Sequence, residues 1–308
     1  MKYLKLNNDL EVSQLVFGCM RISEMSVSEL DELIQCALEE GINFFDHADI
    51  YGGGKSEVLF GEVLKLHPEY REKMIIQSKC AIRKGKVGYY DFSKEHIIHS
   101  VNQSIERLQC GYLDVLLLHR PDTLMEFDEV AEAFNELQQS GKVKYFGVSN
   151  MNSMQIQMLQ KHLDQKLMFN QLQFSPIHCG MVTNGIFANM KEEQSLDHDG
   201  SILEYCRMED ITIQAWSIMQ ASWVEGTFLD NPNYAAFNDC LQEYADQFNV
   251  SKSAIVIAWI LCHPANMQPI FGTTKTKHLK EMAAGCSIEL SREDWYHIYT
   301  KAIGRMLP

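Results

Sequence analysis

The 308-residue chain is predicted to fold as an α/β protein, a (β/α)8 or TIM barrel with an N-terminal β-hairpin. Three observations carry this reading. Eight short apolar runs recur along the chain. Longer segments of helical periodicity lie between them. Most of the runs are apolar nearly throughout, as parallel strands covered by helices must be. A doubly wound open sheet shows the same alternation and is the rival, but its fingerprint G-x-G-x-x-G is absent. The length fits one large domain or two ordinary ones. Barrels of about 250 residues or more are single domains, so residues 1–308 are read as one barrel.

The opening KYLKLNNDLEVSQL reads as a hairpin turning at Asn7-Asn8, able to plug the bottom of a barrel. The eight strands follow as SQLVFG (13–18), NFFDHA (43–48), MIIQSK (74–79), YLDVLLLH (112–119), KYFGVS (144–149), LMFNQLQF (167–174), ITIQAWS (211–217) and MQPIFG (267–272). Between the first two, Leu30, Leu33, Ile34, Ala37 and Leu38 recur at helical spacing on one face. Further helices fall in KEHIIHSVNQSIERLQCG and EFDEVAEAFNELQQSGK. Gly41, Gly111 and Gly141 stand where helices stop. The stretch 178–200 is the most polar and irregular, and reads as a surface excursion after the sixth strand with room for a short helix. Its His178, Cys179, Asp197, His198 and Asp199 have irregular spacing for metal ligands, so a solvated loop is expected and no metal.

Composition narrows the function. The net charge of −14 argues against a general nucleic-acid surface, though not against a local basic pocket. The longest apolar stretches, such as AIVIAWILC, fall short of the ~20 residues of a membrane helix. The N-terminus has no apolar signal region. Nine scattered cysteines without a C-x-x-C fit reduced thiols, and a cytoplasmic location is expected. Cys80 adjoins Lys79, whose charge can lower a thiol pKa, but strand alternation points the two apart.

Four residues stand at or just after strand ends, where a barrel places its chemistry: Asp46 ending NFFD, Tyr51 in DHADIYGGG, Lys79 after MIIQS, and His119 ending YLDVLLLH. Reduction of a carbonyl needs hydride at carbon and a proton at oxygen. A tyrosine can give that proton if a lysine ammonium makes its phenol more acidic. An aspartate can hold the lysine, and a histidine on the opposite wall can orient the carbonyl. Singly, Asp46 could cap a turn, Lys79 could be a surface cation and His119 a core histidine. Together they point to Tyr51 as acid, Lys79 as tuner, Asp46 as anchor and His119 as orienter. Alternation turns His47 away from Asp46, so it receives no role.

DHADIYGGGKSEVLFGEVL, IIQSK, LDVLLLHRPD, KVKYFGVSN and NQLQFSP, in this order over nearly the whole chain, resemble the aldo-keto reductases. The resemblance implies a (β/α)8 barrel, a nicotinamide cofactor, usually NADPH with NADH possible, and a catalytic tetrad at Asp46, Tyr51, Lys79 and His119. It also implies carboxamide contacts from Ser149, Asn150 and Gln171. Trp216 stands where the family usually stacks an aromatic on the nicotinamide, and a Trp can stack there. Ser217 opens the pyrophosphate loop, but SIMQASWVEG departs from the family's Ser-Pro-Leu continuation. Gly18, Met20 and Arg21 match positions near the nicotinamide and substrate. Gly272, Thr273, Thr274, Lys275, His278 and Glu281 match the adenosine-phosphate site, with Lys277 adding charge. His278 replaces a usual Arg and Met282 a usual Asn.

NADPH-dependent reduction of a small-molecule aldehyde or ketone is the leading reading. A cofactor-binding sensor on the same barrel, with little turnover, is the alternative. A two-carboxylate hydrolase needs a second strand-end acid facing Asp46, and Asp122 lies beyond the strand end. The physiological substrate and the oligomeric state are not legible in the residues.

Overall fold

In the computed structural model, which describes residues 1–6 and 10–308, eight parallel strands close into a barrel. The strands are β1 (Val16–Gly18), β2 (Phe44–Asp46), β3 (Ile75–Cys80), β4 (Leu113–Leu118), β5 (Val143–Ser149), β6 (Leu167–Gln173), β7 (Thr212–Trp216) and β8 (Gln268–Phe271). Each pairs with its neighbours in sequence, and β8 returns to β1 through Ile270 opposite Val16. The expected strands are all present, most of them trimmed at their ends, while β3 runs one residue further to Cys80 and β5 begins one residue earlier at Val143. Closure excludes the open doubly wound sheet.

The helices are α1 (Val27–Glu39), α2 (Lys55–Leu66), α3 (Lys94–Leu108), α4 (Phe127–Gln139), α5 (Ser153–Gln160), α6 (Gly180–Ile186), α7 (Ile202–Met208), α8 (Ala235–Phe248), α9 (Lys252–Cys262), α10 (Thr276–Ala283) and α11 (Arg292–Ile303). Ser26 starts α1 with a capping box: its hydroxyl accepts the Glu29 N–H while Glu29 accepts the Ser26 N–H. Such a cap contributes about 1 kcal/mol. Of the three expected glycine stops, Gly41 and Gly141 follow α1 and α4 with positive φ. After α3 the left-handed cap is Gln109, two residues before Gly111. The 178–200 excursion carries α6 and a short 3-10 turn at Glu193–Ser195.

Two cores share the barrel wall. The larger lies between strands and helices and includes Phe17, Phe45, Ile76, Leu116 and Phe146. The smaller fills the barrel interior with Val16, Phe44, Val115, Leu117, Met168 and Phe169, and takes in Leu10 and Val12. Strands Tyr3–Leu6 and Leu10–Ser13 pair antiparallel, so the N-terminal hairpin packs into the barrel as a plug. The turn expected at Asn7-Asn8 lies outside the described residues.

Residues Ala254 to Ile260 of α9 are buried on every side, beneath α8, α10 and α11. This accounts for the apolar run AIVIAWILC as a buried helix. No described helix is long and apolar enough to cross a membrane.

Two antiparallel hairpins were not expected. Ile82–Lys84 pairs with Gly88–Tyr90 after β3, and Gln220–Ser222 pairs with Gly226–Thr227 after β7. Both are short, and only Ala221 among their strand residues is buried, so no extended buried face imposes the alternation that marks a strand.

Candidate active site

The parallel strands bring Asp46, Lys79 and His119 to one end of the barrel, and a tight turn adds Tyr51. Asp46 is the last residue of β2, Lys79 the penultimate residue of β3, and His119 follows β4. Tyr51 opens a 3-10 turn whose Gly52, Gly53 and Gly54 all have positive φ. At Gly52 a Cβ would also stand 2.6 Å from the Cβ of Ser23. That doubly enforces glycine behind the tyrosine.

Lys79 Nζ uses its three donors on the Asp46 carboxylate (2.8 Å), the His47 carbonyl (2.7 Å) and the Tyr51 hydroxyl (3.1 Å). Burial alone would lower the Lys79 pKa. Asp46 and Tyr51 outweigh it, so the ammonium is held above its ordinary value and stays charged. Burial raises the Tyr51 pKa, Lys79 draws it down, and the balance is a raised value. The lysine thus acts in the expected direction without overcoming desolvation in the free protein. His119 is pushed well below its ordinary pKa, first by burial and then by Lys79 and Arg120. It is a neutral imidazole at pH 7. Its Nδ1 is buried without a partner, which leaves Nε2 as the nitrogen open to the site. Its ring meets Tyr51 edge-on at 6.1 Å.

Behind the tetrad runs a polar ladder of which sequence reasoning named only Gln171. Gln77 Nε2 donates to Asp46 Oδ1 (2.6 Å) and to Gln214 Oε1 (2.9 Å). Gln171 Nε2 donates to the same two oxygens at 3.1 Å each. Gln214 passes the chain to Gln268, which donates to the Ser13 carbonyl. The buried Asp46 carboxylate therefore accepts from Lys79, Gln77 and Gln171, which satisfies a charge that would otherwise be costly. Strand alternation was the available signal: Gln77 lies two residues before Lys79 and shares its inward face.

The other face of β2 and β3 holds different chemistry. His47 is fully buried, edge-on to Phe60 at 4.5 Å, with both ring nitrogens unpartnered. Burial and Lys79 depress its pKa to about 3. Cys80 is buried and its thiol pKa is raised well above the ordinary value, so its place beside Lys79 does not activate it. The buried Glu57 accepts from Ser78 and from Arg107. Asp49 stands near this pair, its pKa raised to about 7 by burial first and by Glu57 second.

The predicted cofactor residues divide into two groups. Ser149, Asn150, Gln171 and Trp216 form one connected network. Asn150 Nδ2 donates to Ser149 Oγ (2.7 Å), Ser149 Oγ donates to the Gln171 carbonyl (2.9 Å), and Trp216 Nε1 donates to Asn150 Oδ1 (3.1 Å). Asn150 takes φ 59°, which Asn tolerates. Gly18 lies opposite Asp46 in the β1–β2 register, and a Cβ there would stand 3.1 Å from the Phe271 carbonyl. Met20 and Arg21 follow in an exposed turn. Ser217 has φ 55° and its hydroxyl donates to Gln220.

The second group opens α10. Thr273 Oγ1 accepts the Lys275 N–H, while the N-cap of α10 carries no side-chain bond. Its first-turn amides are therefore open to an anion. Gly272, Thr274 and His278 are exposed beside it. Lys277 reaches Glu281 at 3.8 Å. In the 178–200 excursion, Asp197 accepts the amides of Asp199, Gly200 and Ser201, and no three His, Cys, Asp or Glu gather as metal ligands among the described residues.

The residues fit a nicotinamide dinucleotide. An amide-and-hydroxyl cluster and an indole face the tetrad end, and open helix amides with adjacent cations lie on the barrel element after β8. Sequence comparison places the same lineage on the chain. The sequence model of the Aldo/keto reductase family matches residues 14–303. Oxidoreductase YdhF of Escherichia coli is 36% identical, covering 97% of this chain and 96% of that protein. A 6-dehydroglucose reductase of Agrobacterium fabrum is 31% identical, covering 99% of both. The crystal structure of a thermostable aldo-keto reductase, Tm1743, bound to the inhibitor epalrestat, superposes with a TM-score of 0.78 at 22% identity, covering 98% of this chain and 100% of that one.

Proposed function

The chain belongs to the aldo/keto reductase family of NAD(P)H-dependent oxidoreductases, and on that premise we propose that it reduces an aldehyde or ketone to an alcohol with NADPH, Tyr51 delivering the proton. The observation that carries this reading is the Lys79 ammonium, buried and shared among Asp46, the His47 carbonyl and the Tyr51 hydroxyl.

A nicotinamide, when bound, would supply hydride for the carbonyl carbon. Everything else falls to the chain. His119, neutral, offers a donor from Nε2 and positions the carbonyl oxygen beside Tyr51. The Tyr51 hydroxyl gives its proton to that oxygen as charge develops there. The resulting phenolate sits 3.1 Å from a cation, whose attraction is strong away from water. Asp46, held by Gln77 and Gln171, keeps Lys79 charged without moving. Ser149, Asn150 and Gln171 would hold the carboxamide, and Trp216 would offer its face to the ring. The first turn of α10, with Lys275 and His278, would take the phosphate that distinguishes NADPH. The intact tetrad favours turnover over a sensor that binds NADPH and scarcely oxidises it.

The test is NADPH oxidation followed by absorbance with a panel of aldehydes and ketones, beside Tyr51→Phe. The variant is expected to bind NADPH and to lose at least about a hundredfold in kcat, the lower bound for a general acid. Near-normal turnover in Tyr51→Phe would remove Tyr51 as the acid.

A further inference from the structure

We propose that Arg120 makes this site selective for carbonyl substrates that carry an anionic group, a carboxylate or phosphate, near the reacting carbon. The inference rests on the reductase reading and names the substrate class for it.

Arg120 follows His119 directly, so its backbone is fixed at the wall that positions the carbonyl. Its guanidinium carbon lies 5.4 Å from the centre of the Trp216 ring. The charge is felt at the chemistry, since it helps depress the pKa of His119. It makes no ion pair among the described residues. The acid nearest in sequence, Asp122, is already committed: one oxygen accepts the Phe92 amide at 3.0 Å and the other the Leu124 amide at 2.9 Å. The buried cation of the site, Lys79, is saturated by its three acceptors, and Arg21 lies apart in the exposed turn after β1. Arg83, on the hairpin after β3, is paired with Asp91.

The result is a half-buried guanidinium with unspent donors, beside His119 and over Trp216, in a chain of net charge −14. An acidic protein repels anions at long range. A cation at its active-site wall therefore acts locally, by direct contact with an acceptor. A planar guanidinium matches carboxylate and phosphate in a two-point grip.

The probes are 4-carboxybenzaldehyde and 4-carbamoylbenzaldehyde, which share shape and differ in charge. The measured quantity is the ratio of their kcat/KM values with NADPH. The wild type is expected to favour the carboxylate by about tenfold or more, the scale of one charge-assisted hydrogen bond. Arg120→Gln is expected to bring the ratio near one, mainly through KM for the carboxylate, and Arg120→Lys to retain part of the preference. A role for Arg120 only in supporting Trp216 would change both aldehydes alike and leave the ratio intact, which overturns the proposal. A wild-type ratio near one overturns it as well, while leaving the reductase reading standing. If neither aldehyde is reduced although other carbonyls are, the proposed substrate class is wrong. If no carbonyl is reduced at all, the reductase reading falls and the proposal falls with it.

Discussion

Trp216 donates its indole N–H to Asn150 Oδ1 at 3.1 Å, tying the end of β7 to the turn after β5. Asn150 spends its amide on Ser149 and on the His119 carbonyl, so the indole is fixed by the same residues expected to hold the carboxamide. The ring is thus set in place before any cofactor arrives, which removes part of the ordering cost of binding. Trp216→Phe keeps an aromatic face and deletes the donor. It is expected to weaken NADPH binding about fivefold, the scale of one net hydrogen bond. Trp216→Ala, which also loses the stacking surface, is expected to cost about tenfold or more. Calorimetric titration with NADPH measures both.

The Asp46–Lys79 pair makes a separate prediction about stability. Both side chains are almost wholly excluded from solvent. Removing one partner strands the other, and such losses run at about 3 kcal/mol or more. Lys79→Met should therefore destabilise strongly, although Gln77 and Gln171 still donate to Asp46. Asp46→Asn with Lys79→Met removes both charges and should recover much of that loss, while remaining inactive. Urea unfolding of the two single variants and the double completes the cycle. Additive losses would mean that the pair is not coupled.

The fold and the tetrad were legible because both are written in periodicity. Apolar runs fix where parallel strands lie, and strand ends fix where Asp46, Lys79 and His119 must meet. The opposite facing of His47 and Cys80 followed from the same alternation. The glutamine ladder was harder to see, because Gln77, Gln171, Gln214 and Gln268 are scattered over four strands and only barrel closure brings them together. Arg120 stood within a motif, yet its unpaired state depends on Asp122 being occupied by two backbone amides. The two hairpins are short and bury at most the single Ala221 of their strand residues, and so leave no pattern to read.

The partly buried Asp49 and the fully buried His47, both near Tyr51, give opposite pH dependences. Asp49 has its pKa raised to about 7 in the fold, above its unfolded value of about 3.9. Its contribution is fully favourable below that unfolded value and is lost as pH rises through 7. His47 is depressed to about 3, so its penalty appears as pH falls below about 6.5. Asp49→Asn removes only the first effect. The variant is expected to gain on the order of 1 kcal/mol over the wild type at pH 8, with the gain shrinking toward zero near pH 4. Because His47 is common to both proteins, it cancels in the difference. Thermal unfolding of the pair at pH 5 and pH 8 gives the comparison. An advantage larger at pH 5 would contradict the assignment.

The last prediction concerns the C-terminal helix. Trp259 of α9 and Trp295 of α11 each donate the indole N–H to the other's carbonyl, at 3.1 and 3.0 Å, with rings parallel to within 7° and 4.8 Å apart. Tyr299 stacks on Trp295 at 5.6 Å, and its hydroxyl donates to Thr183 of α6. The aromatic tail is thus a staple between the buried helix α9 and the excursion after β6. Trp295→Phe retains a ring and loses one donor and some volume. A cost of about 2 kcal/mol is expected, against about 4 kcal/mol for Trp295→Ala. In a chain of this size that corresponds to a drop in Tm of roughly 3 °C for the Phe variant. Tyr299→Phe, which cuts only the tie to Thr183, should cost about 1 kcal/mol. If the Phe and Ala variants at 295 melted alike, neither the stacking nor the reciprocal bonds would be the source of the attachment.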